Sequence, residues 1–128
     1  MKLLLDTHAL IWAFERNPKL SSRALDAMRD ATNPAWFSIA SFWEIAIKRS
    51  LAKLQLPEDW LPRMSAQMAA NAIERLDITP DHCRHVESLP HHHRDPFDRM
   101  LVAQASAGNL TVVSADPSFD AYGVNRLW

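Results

Sequence analysis

The stretch Leu3-Leu4-Leu5-Asp6-Thr7-His8-Ala9-Leu10-Ile11-Trp12 decides the reading of the fold. Leu3 to Leu5 is an apolar run without polar alternation, which predicts a strand buried on both faces. Asp6 ends it, and the period then changes. From Thr7 to Arg16 the residues Leu10, Ile11 and Phe14 fall on one face of a helix, and Pro18 stops that helix.

The same alternation continues outward. Ser21 or Ser22 caps a second helix carrying Leu25 and Met28, Asn33-Pro34 makes a turn, and Ala35 to Ile39 reads as a second strand. A helix follows, from Ile39 or Phe42 to Leu51. Pro57 and Pro62 bracket the start of another that runs to about Ala72. Arg75 to Ile78 is a strand candidate, and Thr79-Pro80 opens a helix through Glu87. Leu89 to Arg94 is a loop. Asp95-Pro96 opens a helix that stops at Gly108, Leu110 to Val113 is a strand, Asp116-Pro117 opens a short helical turn, and Val124 to Leu127 is a last strand. Strands alternating with helices predict an α/β fold: a central, mostly parallel sheet covered on both faces.

Composition narrows the possibilities. A chain of 128 residues fits one domain, residues 1–128. Such a chain buries roughly two-thirds of its unfolded surface. At 48% hydrophobic residues disorder is excluded, and a net charge of −1 excludes a strongly basic nucleic-acid coat while allowing a local basic patch. The single cysteine, Cys83, cannot form an internal disulfide and fits a reducing, cytoplasmic setting. The N-terminal apolar run is too short for a signal peptide or a membrane span. Neither of the two glycines lies in a phosphate-cradling motif, so no dinucleotide or NTP loop is present.

Four acids stand out: Asp6, Glu44, Asp98 and Asp116. Each has a local explanation. Asp6 and Asp116 can cap the helices they precede. Ser41-Phe42-Trp43-Glu44 reads as a capping box, and Asp98 lies in the first turn after the Asp95 cap, where negative charge suits the helix dipole. Collectively they say more. Asp6 and Asp116 follow strands, whereas Glu44 and Asp98 sit near helix starts. A parallel sheet brings strand C-termini and helix N-termini to one edge. Carboxylates crowded there would repel and drive protonation unless a hard, oxygen-loving cation neutralised them, with Mg²⁺ or Mn²⁺ as candidates. A carboxylate-held cation at an open edge suits phosphoryl chemistry.

Four segments carry a family resemblance, in order along nearly the whole chain. They are Leu3 to Trp12; Ser41-Phe42-Trp43-Glu44-Ile45-Ala46-Ile47-Lys48; Leu89-Pro90-His91-His92-His93-Arg94-Asp95-Pro96-Phe97-Asp98-Arg99-Met100-Leu101; and Leu110 to Asp116, with Tyr122-Gly123-Val124 after it. The sequence resembles PIN-domain ribonucleases, and among them the VapC toxins of toxin–antitoxin pairs. The resemblance implies a PIN-like three-layer sandwich and an Mg²⁺- or Mn²⁺-dependent endoribonuclease that leaves 5′-phosphate and 3′-hydroxyl ends. It implies a homodimer and a cognate antitoxin, whose apolar, Arg-bearing segment blocks the metal site. It carries over Asp6, Glu44, Asp98 and Asp116 as the metal-binding acids. We assign Asp6 and Asp98 to direct ligation, and Glu44 and Asp116 to ligation through water or on a second metal. Asp95 is taken as a helix cap, Thr7 and Ser114 as hydrogen-bonding supports, and Lys48, Arg49, Lys53, Arg94 and Arg99 as cations that draw in RNA.

Rival readings fit less well. A haloacid-dehalogenase phosphatase needs an acid two residues after Asp6, where His8 stands, and a phospho-receiver needs an acceptor at a mid-chain strand end, where Asp77 lies inside its strand run. His91-His92-His93 lacks the further ligands of a zinc site and reads as a solvated loop. A metal-free acid–base ribonuclease using these imidazoles is the chemical alternative. The non-enzyme alternative is a catalytically silent PIN-like module that binds RNA or a partner.

Overall fold

The computed structural model describes all 128 residues. Five strands form one sheet: β1 (Leu3–Leu5), β2 (Ala35–Ser38), β3 (Ile73–Leu76), β4 (Thr111–Val113) and β5 (Arg126–Leu127), in spatial order β3-β2-β1-β4-β5. Every neighbouring pair is parallel. The helices are α1 (Thr7–Glu15), α2 (Ser22–Arg29), α3 (Ile39–Ser50), α4 (Trp60–Ala70), α5 (Pro80–Ser88) and α6 (Pro96–Gly108), with a 3₁₀ turn at Pro117–Tyr122. No helix is long and apolar enough to cross a membrane.

The leucine run behaves as a doubly covered central strand should. Leu3 and Leu5 are fully buried in a core shared with Leu10, Phe37, Ile45, Met64 and Met68, from α1, β2, α3 and α4. Leu4 points the other way, into a second core with Leu101, Val102, Ala105 and Val112 from α6 and β4. β1 pairs with both β2 and β4, bringing Leu5 level with Phe37 and Val113. The chain therefore leaves β1, β2 and β4 at one edge of the sheet, and Asp6, Ser38 and Ser114 are the next buried polar positions there.

Three boundaries differ from the sequence reading. Ile39 belongs to α3 rather than to β2, because Ser38 is the true N-cap and accepts from the Ala40 amide at 3.1 Å. Glu44 therefore lies beyond the first turn of α3, and the capping box from Ser41 does not form. β3 begins at Ile73, earlier than expected, since Ala72 at φ 56° ends the preceding turn and releases the chain directly into the strand. Asp77 consequently lies outside the strand, paired with Arg75 at 2.7 Å.

Candidate active site

Each acid reaches the sheet edge by its own local rule. Asp6 is the N-cap of α1, with Oδ1 accepting from the Ala9 amide at 2.8 Å, and it is buried. Asp116 follows β4 and caps the 3₁₀ turn by accepting from the Ser118 amide at 2.9 Å. Asp95 caps α6 by accepting from the amides of Phe97 and Asp98. That cap and Pro96 fix where α6 begins, and so where Asp98 points. Glu44 comes from the body of α3 and is buried at 3% exposure.

Glu44 is held from two sides. The Thr7 hydroxyl donates to its Oε1 at 2.6 Å, and Lys48 Nζ donates to its Oε2 at 2.6 Å. That hydrogen bond raises the Lys48 ammonium above its ordinary value, and the charges of Asp95 and Asp98 add to the effect. Ser114 serves two acids: it hydrogen-bonds Asp6, and its Oγ accepts from the Asp116 amide at 3.0 Å.

Asp98 is the acid under most electrostatic pressure. Burial, followed by the like charges of Asp95, Glu44, Asp6 and Asp116, pushes its carboxyl up to about 7. Asp6, Glu44 and Asp116 are thus near enough for their charges to act on Asp98. Burial raises Asp6 as well, against hydrogen bonds from Ser114 and Ala9. Asp116 behaves differently. Burial pushes it up, but the hydrogen bonds from Ser118 and the nearby His93 ring outweigh that and hold it below the ordinary carboxylate value.

The histidine loop is not uniform. His91 and His92 are exposed, but His93 turns inward and sets Nε2 3.1 Å from Asp98 Oδ2 and 3.6 Å from Asp116 Oδ2. His93, Asp98 and Asp116 each offer a ligand-type atom within 4.8 Å of one another. Three consecutive loop histidines gave no sequence signal as to which one would face the acids.

The cations are placed unequally. Arg94 and Lys53 are exposed, and Lys48 is tied to Glu44. Arg49 donates to the Leu56 carbonyl at 3.3 Å. Arg99 is buried, and its guanidinium donates to the carbonyls of Val86, Leu89 and Pro90 and to the Tyr122 hydroxyl. Its task is to fasten the α5–α6 connection, so the sequence reading of Arg99 as an RNA contact is corrected. Trp43, next to Glu44, is 60% exposed and packs edge-to-face on Phe97, which adjoins Asp98.

The donor set fits a hard divalent cation. The ligand atoms are predominantly carboxylate oxygens, and the raised Asp98 shows that these acids do not all ionise easily together. A groove of about 960 Å³ lies elsewhere. Trp12, Leu25, Met28, Arg16, Arg29 and Met68 line it, and none of the site acids does.

The sequence model of the PIN domain family matches residues 3–125. The chain belongs to the PIN domain family. Solved structures agree on the fold. A chain of VapBC2 from Rickettsia felis, solved with a promoter DNA fragment, superposes at a TM-score of 0.73 with 15% identity, covering 100% of both chains. A chain of DNA-bound VapBC from Salmonella typhimurium gives 0.65 with 19% identity, over 98% of this chain and 96% of that one. A chain of FitAcB from Neisseria gonorrhoeae gives 0.61 with 20% identity, over 97% and 95%. No curated protein matches the sequence significantly. The PIN-like α/β sandwich expected from the sequence is thus the observed fold, with a sheet that is wholly rather than mostly parallel.

Proposed function

We propose that this PIN domain is a metal-dependent endoribonuclease, the toxin of a toxin–antitoxin pair. The observation that carries the reading is the placement of Asp6, Glu44, Asp98 and Asp116 about one sheet edge, with Asp98 raised to about 7 by burial and then by the charges of its neighbours. Asp6 and Asp98 are the direct ligands in this reading, and Glu44 and Asp116 act through water or on a second ion. A divalent cation supplies positive charge beside the scissile phosphate and makes an attacking water more acidic. Mg²⁺ or Mn²⁺ matches the oxygen donors.

The chain's own residues have separable tasks. Asp6 is immobilised by its role as a helix cap. Thr7 keeps Glu44 oriented, and Lys48 offsets the charge of Glu44. Ser114 links Asp6 to Asp116. Arg94, exposed and directly before Asp95 in the chain, is the cation we assign to meet an RNA backbone, with Arg49 and Lys53 as further candidates. The products are a 5′-phosphate and a 3′-hydroxyl.

The partner reading is a cognate antitoxin, and the oligomer a homodimer, in a cytoplasmic setting. Support comes from membership of the family and from the likeness to chains of VapBC and FitAB complexes. The groove beside Trp12 and Met28 supplies apolar surface of the kind a partner helix covers.

End-group analysis tests the chemistry. Incubation of the purified protein with total RNA and Mg²⁺ is expected to yield 5′-phosphate fragments, and EDTA is expected to stop the reaction. Fragments with 2′,3′-cyclic phosphate that persist in EDTA and vanish when His91, His92 and His93 are all changed to Ala would establish the histidine route instead. No cleavage of any RNA, with the metal bound, would favour a silent binding module.

A further inference from the structure

His93 occupies a position that neither a solvated loop nor a metal ligand explains. Its Nδ1 accepts a hydrogen bond from the Asp95 amide at 3.0 Å. That bond uses the Nδ1 lone pair and leaves the ring proton on Nε2. The nitrogen facing the acids is therefore a donor. It lies 3.1 Å from Asp98 Oδ2 and 3.6 Å from Asp116 Oδ2, between the two carboxylates and close enough to attract both. A protonated ring nitrogen has no lone pair to give a cation, but it can orient the carboxylates that do.

The ring is anchored on its other side as well. The His93 amide donates to the Tyr122 hydroxyl at 2.8 Å, and Arg99 Nη1 donates to the same oxygen at 3.2 Å. Arg99 is buried with no carboxylate partner and spends its remaining donors on the carbonyls of Val86, Leu89 and Pro90, at 3.2, 3.4 and 2.8 Å. A buried guanidinium saturated by carbonyls is costly to build and hard to move. It pins the C-terminal end of α5, the histidine loop and the 3₁₀ turn to α6, the helix that carries Asp98.

We propose that His93 is a positioning residue: its Nε2–H holds Asp98 and Asp116 in the arrangement that receives the cation, and Arg99 with Tyr122 holds His93. The inference rests on the metal-site reading above and adds a role for a residue outside the acid set. Partners that orient metal-ligating groups from outside the ligand set typically alter metal affinity by about 10- to 100-fold.

Imidazole ¹⁵N–¹H correlation spectra of the full-length protein, recorded without metal and with Mg²⁺, read the tautomer directly. His93 is expected to carry its proton on Nε2 in both states. Mn²⁺ titration followed by electron paramagnetic resonance then reads affinity without turnover. His93→Ala is expected to bind Mn²⁺ about 10- to 100-fold more weakly. His93→Gln, whose amide N–H₂ reaches close to the imidazole Nε2 position, is expected to recover most of the loss, and Tyr122→Phe to weaken binding less than His93→Ala. Loss of the Nε2 proton on adding Mg²⁺ would make His93 a direct ligand and overturn the proposal. Unchanged or tighter Mn²⁺ binding in both His93 variants would also overturn it, while leaving the metal site standing. A wild-type protein that binds no Mn²⁺ would overturn both readings together.

Discussion

The two halves of the acid centre are built on different principles. On the α1–α3 side, Glu44 is more deeply buried than Asp98, yet the Thr7 hydroxyl and the Lys48 ammonium satisfy it within the protein. On the α6–β4 side, Asp98 meets burial and four like charges with only the His93 ring, 3.1 Å away, beside its carboxylate, and its carboxyl rises to about 7. The two buried carboxylates thus differ in the donors that the protein supplies to them. Glu44 is satisfied without a ligand, whereas Asp98 gains most from an added cation.

The sharpest way to break that contrast is Asp98→Asn. An amide is a poor ligand for a hard cation, so RNA cleavage is expected to fall by at least about 100-fold, with metal affinity falling alongside. In EDTA at pH 8 the same variant should melt at a higher temperature than the wild type, because one repelling charge has gone. Wild-type cleavage rates in Mg²⁺ would remove Asp98 from the site.

The next effect is pH dependence in the absence of metal. The folded-state value of Asp98 lies above its unfolded value of 3.8, so between these values the folded state binds more protons. Metal-free protein should therefore gain stability as pH falls from about 7 towards 4 and show no Asp98 contribution to the slope above that range. Asp6 is also raised and adds in the same direction. Asp116, Asp30 and Asp120 are lowered, so their stabilisation is lost only as pH falls below 3.8, through their folded values. Thermal unfolding in EDTA across pH 4.5–8 measures this trend, and Asp98→Asn should flatten it.

The satisfied half should respond to loss of a donor instead. Thr7→Val keeps the shape of the side chain but removes the hydroxyl from buried Glu44, at a cost of about 1–3 kcal/mol in denaturant unfolding. A neutral result would mean that Lys48 alone suffices for Glu44. The smallest change is expected from Asp95→Asn. Asn keeps the oxygen that caps α6, so stability should move by less than about 0.5 kcal/mol and most activity should remain. Because Asp95 is the leading like charge acting on Asp98, the apparent pKa of Asp98 should nevertheless fall. Activity lost to the extent seen in Asp98→Asn would make Asp95 a ligand.

Much of this site was readable in the sequence because backbone rules place it. Leu3 to Leu5 must be a strand buried on both faces, so Asp6 must stand at its end, and Asp95-Pro96 fixes the start of α6 and with it Asp98. Glu44 stood out as an acid near a helix start, while its local explanation was mistaken: Ser38 caps α3 before Ser41 can. Two further residues were illegible for tertiary reasons. Arg99, in the first turn of α6, looks like surface charge until the end of α5 folds over it and offers its carbonyls. His93 is distinguished from His91 and His92 only by the Asp95 amide and the Tyr122 hydroxyl, the latter 29 residues away in sequence.

The central claim is that these acids gather to hold a divalent cation that Asp98 alone cannot accept without losing a proton. Calorimetric titration of Mn²⁺ at pH 6.5, in two buffers of different ionisation enthalpy, measures binding and proton release together. The account predicts saturable binding with a substantial fraction of a proton released by the wild type, and weak binding with little release by Asp98→Asn. No binding by the wild type, or identical titrations for the two proteins, would contradict it.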